Sequence, residues 1–100
     1  MNIQINHSKE NGLLKISLSG RLDTTTSPVA EMDIRPLLDD VENIEMDLSG
    51  LEYISSAGLR TLLAIKKSIP ETGVIKLFHV RGEIREVFDM TGFSNIFVIE

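Results

Sequence analysis

Two adjacent serines, Ser55 and Ser56, stand between an apolar strand pattern (Ile44, Met46, Leu48) and a helical pattern that begins near Ala57. A hydroxyl at the mouth of a helix faces its unpaired N–H groups and the positive end of its dipole. Two chemistries suit that place: capping the helix, and receiving a phosphoryl group. Position alone allows Ser56 either one. A third chemistry, nucleophilic hydrolysis, fits poorly. A nucleophile elbow has glycine two residues before and two after its serine; Ile54 fills the first place and Gly58 the second. The general base would have to be His7 or His79, each on an expected strand.

The remaining chemical candidates are bland. Asp39, Asp40 and Glu42 cluster where a helix is expected to end in a turn, a common place for solvated carboxylates. No histidine pair stands at ligand spacing, no calcium-loop pattern occurs, and the chain has no cysteine. Glycines 12, 20, 50, 58, 73, 82 and 92 are dispersed, so no loop is rich enough in glycine to cradle a phosphate. Neither metal nor cofactor is expected, and the chain does not read as an enzyme. A small enzyme using Ser56 or Asp23 is the rival reading from another class.

One hundred residues, 42% of them apolar, suit one domain spanning 1–100 with a single core. The apolar runs are too short to span a bilayer, and the N-terminus carries no secretory pattern, so membrane insertion is not expected and the cytoplasm is. A net charge of −5 with scattered lysines and arginines argues against direct nucleic-acid binding.

Periodicity supplies the framework around the serines. Ile3 and Ile5 alternate with polar neighbours, giving a strand at 2–7. Asn11-Gly12 turns the chain into a second strand through Leu14, Ile16 and Leu18, which Ser19-Gly20 ends or bends. Ser27-Pro28 reads as a helix start, with Ser27 as cap and Val29 and Met32 on the buried face. Pro36 should kink or break that helix before it ends near Asp40. A strand comes next at 43–48, then a helix at 57–68 whose apolar face is Leu59, Leu62, Leu63, Ile65 and Ile69. Val74–Val80 carries few charges and reads as a central strand. Ile84, Val87, Phe88 and Thr91 mark a helix stopped by Gly92, and Ile96–Ile99 a last strand. The order is ββαβαβαβ, an α/β fold with a mixed sheet covered by helices.

Three segments, in this order, resemble the signatures of the STAS domain: Ser19-Gly20-Arg21-Leu22-Asp23, then Leu51 through Leu59 (Leu-Glu-Tyr-Ile-Ser-Ser-Ala-Gly-Leu), then Phe88 through Phe93 (Phe-Asp-Met-Thr-Gly-Phe). More narrowly, the chain resembles the stand-alone bacterial anti-sigma factor antagonists, and the resemblance covers nearly its whole length. It implies a partner-switching protein. Such an antagonist, unphosphorylated, binds an anti-sigma factor that is also a serine kinase, and so releases a sigma factor. The kinase phosphorylates it on a serine at the start of the second long helix, and a serine phosphatase resets it. By the family's Asp-Ser-Ser/Thr-Gly-Leu motif the acceptor is Ser56. Where the family has aspartate this chain has Ser55, which is therefore the second candidate, and Ala57 replaces the family's Ser or Thr. Asp23 matches an acidic position that the family keeps close to the acceptor. The implied partner-binding set is Asp23, Ser55, Ser56, Ala57, Gly58 and Arg60. The alternative within the same fold is a constitutive docking subunit of a lipid-transport or sensory assembly, without phosphorylation.

Overall fold

Asn11 and Gly12 both adopt positive φ, 51° and 82°, the mirror-image turn that joins right-twisted strands with two residues. The resulting hairpin pairs β1 (Ile3–Glu10) antiparallel to β2 (Leu13–Leu22). The computed structural model describes residues 3–100; Asn2, where the first strand is expected to start, lies outside them. β1 also runs past residue 7, because the hairpin register continues to Glu10↔Leu13.

α1 (Ser27–Ile34) stops where Pro36 withdraws its N–H from the helical ladder, and a 3-10 turn (Arg35–Leu38) carries the chain on. Lys9 of β1 donates to the carbonyls of Leu37 and Asp39 at 3.1 and 2.9 Å, tying down the end of that turn. The break is as expected, but the buried face is not. Ser27, Ala30 and Ile34 are buried, while Met32 is 74% exposed and Val29 half-buried. Ala30, Ile34 and Leu38 share a stripe at spacing four, and it is this stripe that meets the sheet.

β3 (Asn43–Ile54) is twice as long as its apolar pattern suggests. Ser49 and Gly50, which read as a turn, stay in the strand: β2 bulges between Ser17 and Ser19 and between Gly20 and Arg21, and pairing resumes to Leu22↔Ile54. Gly20 takes φ +103° at this irregularity. β4 (Ile75–Phe78) and β5 (Val98–Ile99) complete a sheet of order β1-β2-β3-β4-β5, parallel from β2 onward. β4 is thus interior, but the middle strand is β3. His79 falls beyond β4 rather than on it, at φ +60°. The last strand is shorter than expected because the Ile96 and Phe97 amides still bond back to the Phe93 carbonyl, prolonging the 3-10 turn (Phe93–Asn95) that follows Gly92, which ends α3 (Gly82–Thr91) in the left-handed conformation.

Leu14, Ile16 and Leu18 of β2, Ile44, Met46 and Leu48 of β3, and Ile75 and Leu77 of β4 are all at most 2% exposed. They meet Ala30, Ile34, Leu62, Ile65, Ile84 and Phe88 from the helices in one core. The alternate positions, with Lys15, Glu45 and Lys76 in one row, form the other sheet face and are exposed or half-buried. The Cα extents, 32 × 29 × 19 Å, are those of two layers. Parallel sheets are commonly covered on both faces; here the polar alternation leaves one open.

Candidate functional site

β2 and β3 end side by side at Leu22 and Ile54, and the segments leaving the two strands make the site. The Ser55 amide donates to the Leu22 carbonyl at 2.9 Å, so α2 (Ser56–Lys67) starts next to the turn at Asp23–Thr26. Gly58 makes this approach possible. A Cβ on it would stand 2.7 Å from Ile54 Cγ1 and 2.8 Å from the Leu22 carbonyl oxygen, inside any normal contact. Gly58 is accordingly buried, and it seats the helix.

The two serines divide the two chemistries between them. Ser55, in extended geometry (φ −100°, ψ 177°), is the cap: its Oγ accepts from the Gly58 amide at 3.3 Å. Ser56 is the first helical residue, one place past the cap position. It is exposed, and no hydrogen bond to its hydroxyl is found among the described residues. The cap reading of Ser56 is thereby corrected, and its hydroxyl is left at the positive end of α2 facing solvent. Ala57 is half-buried and Arg60 is exposed, one turn further on.

Asp23 lies beside this helix start, but its carboxylate is directed elsewhere. Oδ1 accepts from the backbone amides of Thr25 and Thr26, each at 3.0 Å, and from the Thr25 hydroxyl at 2.9 Å, while the Thr26 hydroxyl, 3.2 Å away, shares its one proton with the Arg21 carbonyl. These bonds hold its pKa down at about 2, the Thr26 amide contributing most and the Thr25 hydroxyl next. Arg21 adds an ion-pair contact at 3.6 Å and lies over the Tyr53 ring at 4.3 Å. Among the described residues no hydrogen bond joins the Asp23 carboxylate to the Ser56 hydroxyl or to the amides around it. Asp23 instead closes the turn that Leu22 presents to Ser55. Thr26 completes that turn: its hydroxyl accepts from the Asp23 amide at 2.8 Å and donates to the Arg21 carbonyl at 2.7 Å. Sequence reasoning missed Thr26, although the Asp-Thr-Thr-Thr run is a signal for side-chain-closed turns.

A groove of about 1010 Å³ opens between α1 and α2, walled by Pro28, Met32, Pro36, Ala57, Arg60 and Ala64. A smaller depression of about 430 Å³ lies on the open sheet face. There His79 Nδ1 meets Asp47 Oδ1 at 3.1 Å. The Ser49 amide, foremost, and then His79 lower the Asp47 pKa. No serine hydroxyl is hydrogen-bonded to either histidine among the described residues, so no nucleophile–base pair is assembled. Among the described residues no three His, Asp or Glu side chains converge to hold a metal, and no helix is long and apolar enough to cross a membrane.

Residues 3–100 match the family model of the STAS domain. This chain belongs to the STAS domain family. BtrV of Bordetella bronchiseptica, a candidate anti-sigma factor antagonist, is 31% identical over 97% of this chain and 85% of its own length. The anti-sigma F factor antagonist of Paenibacillus polymyxa is 30% identical over 99% of this chain and 87% of its own. Among solved structures, an anti-sigma factor antagonist from Mycobacterium paratuberculosis superposes with a TM-score of 0.83 at 29% identity, covering 97% of this chain and 84% of that one. These three relatives of the STAS domain all carry the name anti-sigma factor antagonist, and the likeness runs through the elements that carry Ser55, Ser56 and Asp23.

Proposed function

We propose that this STAS domain is an anti-sigma factor antagonist, a cytoplasmic binding module switched by phosphorylation of Ser56. The observation that carries the reading is the division of labour at α2: Ser55 is spent on the cap, while Ser56 is exposed and unengaged among the described residues. The names of its relatives support an anti-sigma factor as the partner, here one that is also a serine kinase. In the switching step the Ser56 Oγ forms a bond to the γ-phosphorus of ATP, the bond to the β-phosphate oxygen breaks, ADP leaves and the hydroxyl proton is released. A serine phosphatase hydrolyses the ester and restores the hydroxyl.

The off state has a simple physical basis. Phosphate adds about −1.5 to −2 charges at a docking surface made of Ser56, Arg60, half-buried Ser55 and Ala57, and the Asp23 turn. A partner would have to desolvate that dianion; a loss of ~3 kcal/mol would weaken binding about a hundredfold. Intact mass after incubation with the cognate kinase and ATP tests the reading. One added phosphate, mapped to Ser56 and accompanied by loss of the partner from co-purification, is the expected result. A chain that binds its partner and is never phosphorylated would instead be a constitutive docking subunit.

A further inference from the structure

The arginines of this chain are almost all committed. Arg21 lies over Tyr53 beside Asp23, Arg35 pairs with Glu31 at 2.6 Å, Arg81 donates to the Ser49 carbonyl, and Arg85 pairs with Asp89 at 3.4 Å. Arg60 is the exception. It is exposed on α2, and among the described residues no ion pair or hydrogen bond engages its guanidinium. It also stands four residues after Ser56 on the same helix, so the two exposed side chains lie one above the other, one turn apart. A negative group at i with a positive one at i+4 is the favourable order on a helix. Arg60 also lines the α1–α2 groove, where the Ser27 hydroxyl is buried without a partner among the described residues.

We infer that Arg60 is the built-in receptor of the phosphoryl group on Ser56; this rests on the reading of Ser56 as the acceptor. A guanidinium presents paired N–H donors in the fork that phosphate oxygens accept. In the unmodified chain it is the groove's uncommitted positive charge, open to an acidic side chain of the partner. Once Ser56 is phosphorylated, the same group turns back one helical turn and closes on the phosphate. The switch then acts twice, adding a dianion at the start of α2 and withdrawing a cation from the groove beside it. Ser55 has no such receptor. It is five residues from Arg60, about 140° around the helix axis, and its oxygen is occupied by the Gly58 amide.

The test uses the full chain with phosphoserine encoded at position 56 during translation, so that it does not depend on any kinase. Phosphorus NMR gives the second pKa of the phosphate, ordinarily near 6, in that protein and in the same protein carrying Arg60→Gln. The expected result is a pKa higher by about half a unit in the variant, with the difference shrinking in high salt. Asp23, Glu31, Glu52, Arg21 and Arg35, the other charged groups of α1, the Asp23 turn and the end of β3, are common to both proteins and cancel. An identical pKa overturns the inference. If the phosphoserine chain does not fold, a thermal double-mutant cycle of Ser56→Glu with Arg60→Gln decides instead: a favourable coupling supports Arg60, and a coupling of zero removes it. A kinase that never modifies Ser56 would refute the acceptor reading alone, since this titration reports on Arg60 regardless.

Discussion

Both α1 and α2 begin with a serine in the first helical position, and the two serines have opposite fates. Ser27 is 3% exposed and its hydroxyl is buried without a partner among the described residues. Ser56 has the same place in its helix and faces solvent. The residues before them differ as well. Thr26 is helical (φ −89°, ψ −24°) and makes no cap bond, because its hydroxyl is used within the turn. Ser55 is extended and caps in the ordinary way. The same residue type at the same local position is thus structural at one helix and chemically available at the other. What separates them is tertiary packing, which buries the start of α1 and leaves the start of α2 open.

Removing each hydroxyl in turn and offering the protein to the cognate kinase puts this contrast at greatest risk. Ser56→Ala should abolish phosphate uptake completely, and Ser27→Ala should be phosphorylated like wild type, both by intact mass. If Ser56→Ala still gains a phosphate, Ser55 is the acceptor and the division of labour at α2 has been misassigned.

Next in size is Gly58→Ala. The helix preference of alanine would favour the change, but the added methyl collides with Ile54 and the Leu22 carbonyl. Overpacking of that kind costs about 1–3 kcal/mol, or roughly 4–8 °C in Tm for each kcal/mol in a domain of this size. An unchanged melting temperature would mean that α2 can shift without cost and that its start is not firmly placed.

How far the sequence displays all this depends on how local each cause is. The α2 helix and the stop at Gly92 are legible because strong periodicity and a left-handed glycine are local signals. The tail of β3 is not, since Ser49-Gly50 looks like a turn unless one knows that β2 bulges opposite it. The buried face of α1 is misread for a related reason. A helix of eight residues carries too few apolar positions to declare a face, and packing on the sheet selects Ala30 and Ile34 over Met32. At the site, the serine pair is legible but its division is not. A shift of one residue in where the helix begins exchanges the cap for the free hydroxyl, and that shift is set by the bond from the Ser55 amide to Leu22, a contact between distant parts of the chain.

The threonine and serine that precede the two helices should differ in stability as they differ in bonding. Thr26→Val leaves the Asp23 amide and the Arg21 carbonyl without their partner, which costs about 1–3 kcal/mol for buried groups. Ser55→Ala removes only a long cap bond and should cost about 0.5–1 kcal/mol, while the protein is still phosphorylated at Ser56. Denaturant unfolding of both variants measures the order. A larger loss from Ser55→Ala would invert the comparison.

The smallest effect belongs to Asp23, whose carboxylate closes the turn before α1. Its folded pKa, about 2, lies below the ordinary 3.8 because threonine donors favour the charged carboxylate. That order gives the sign: the contribution is fully present above 3.8 and is lost as pH falls through about 2. Asp47 and Asp89, also lowered, add to the same acid limb through the Ser49 amide and the Ser94 hydroxyl respectively. Asp23→Asn should therefore flatten part of the fall in Tm between pH 4 and pH 2, with little change at neutral pH, because the amide oxygen accepts the same turn bonds and the group is solvent-screened. Its phosphorylation rate at pH 7 should equal that of wild type, since the carboxylate is turned toward Thr25 and Thr26. A roughly tenfold slower rate, about 1.4 kcal/mol, in a variant that melts normally would show that Asp23 leaves its turn to meet Ser56 in the complex. The loop before α1 would then belong to the chemistry of α2, and the separation of the two helix starts would hold only for the free protein.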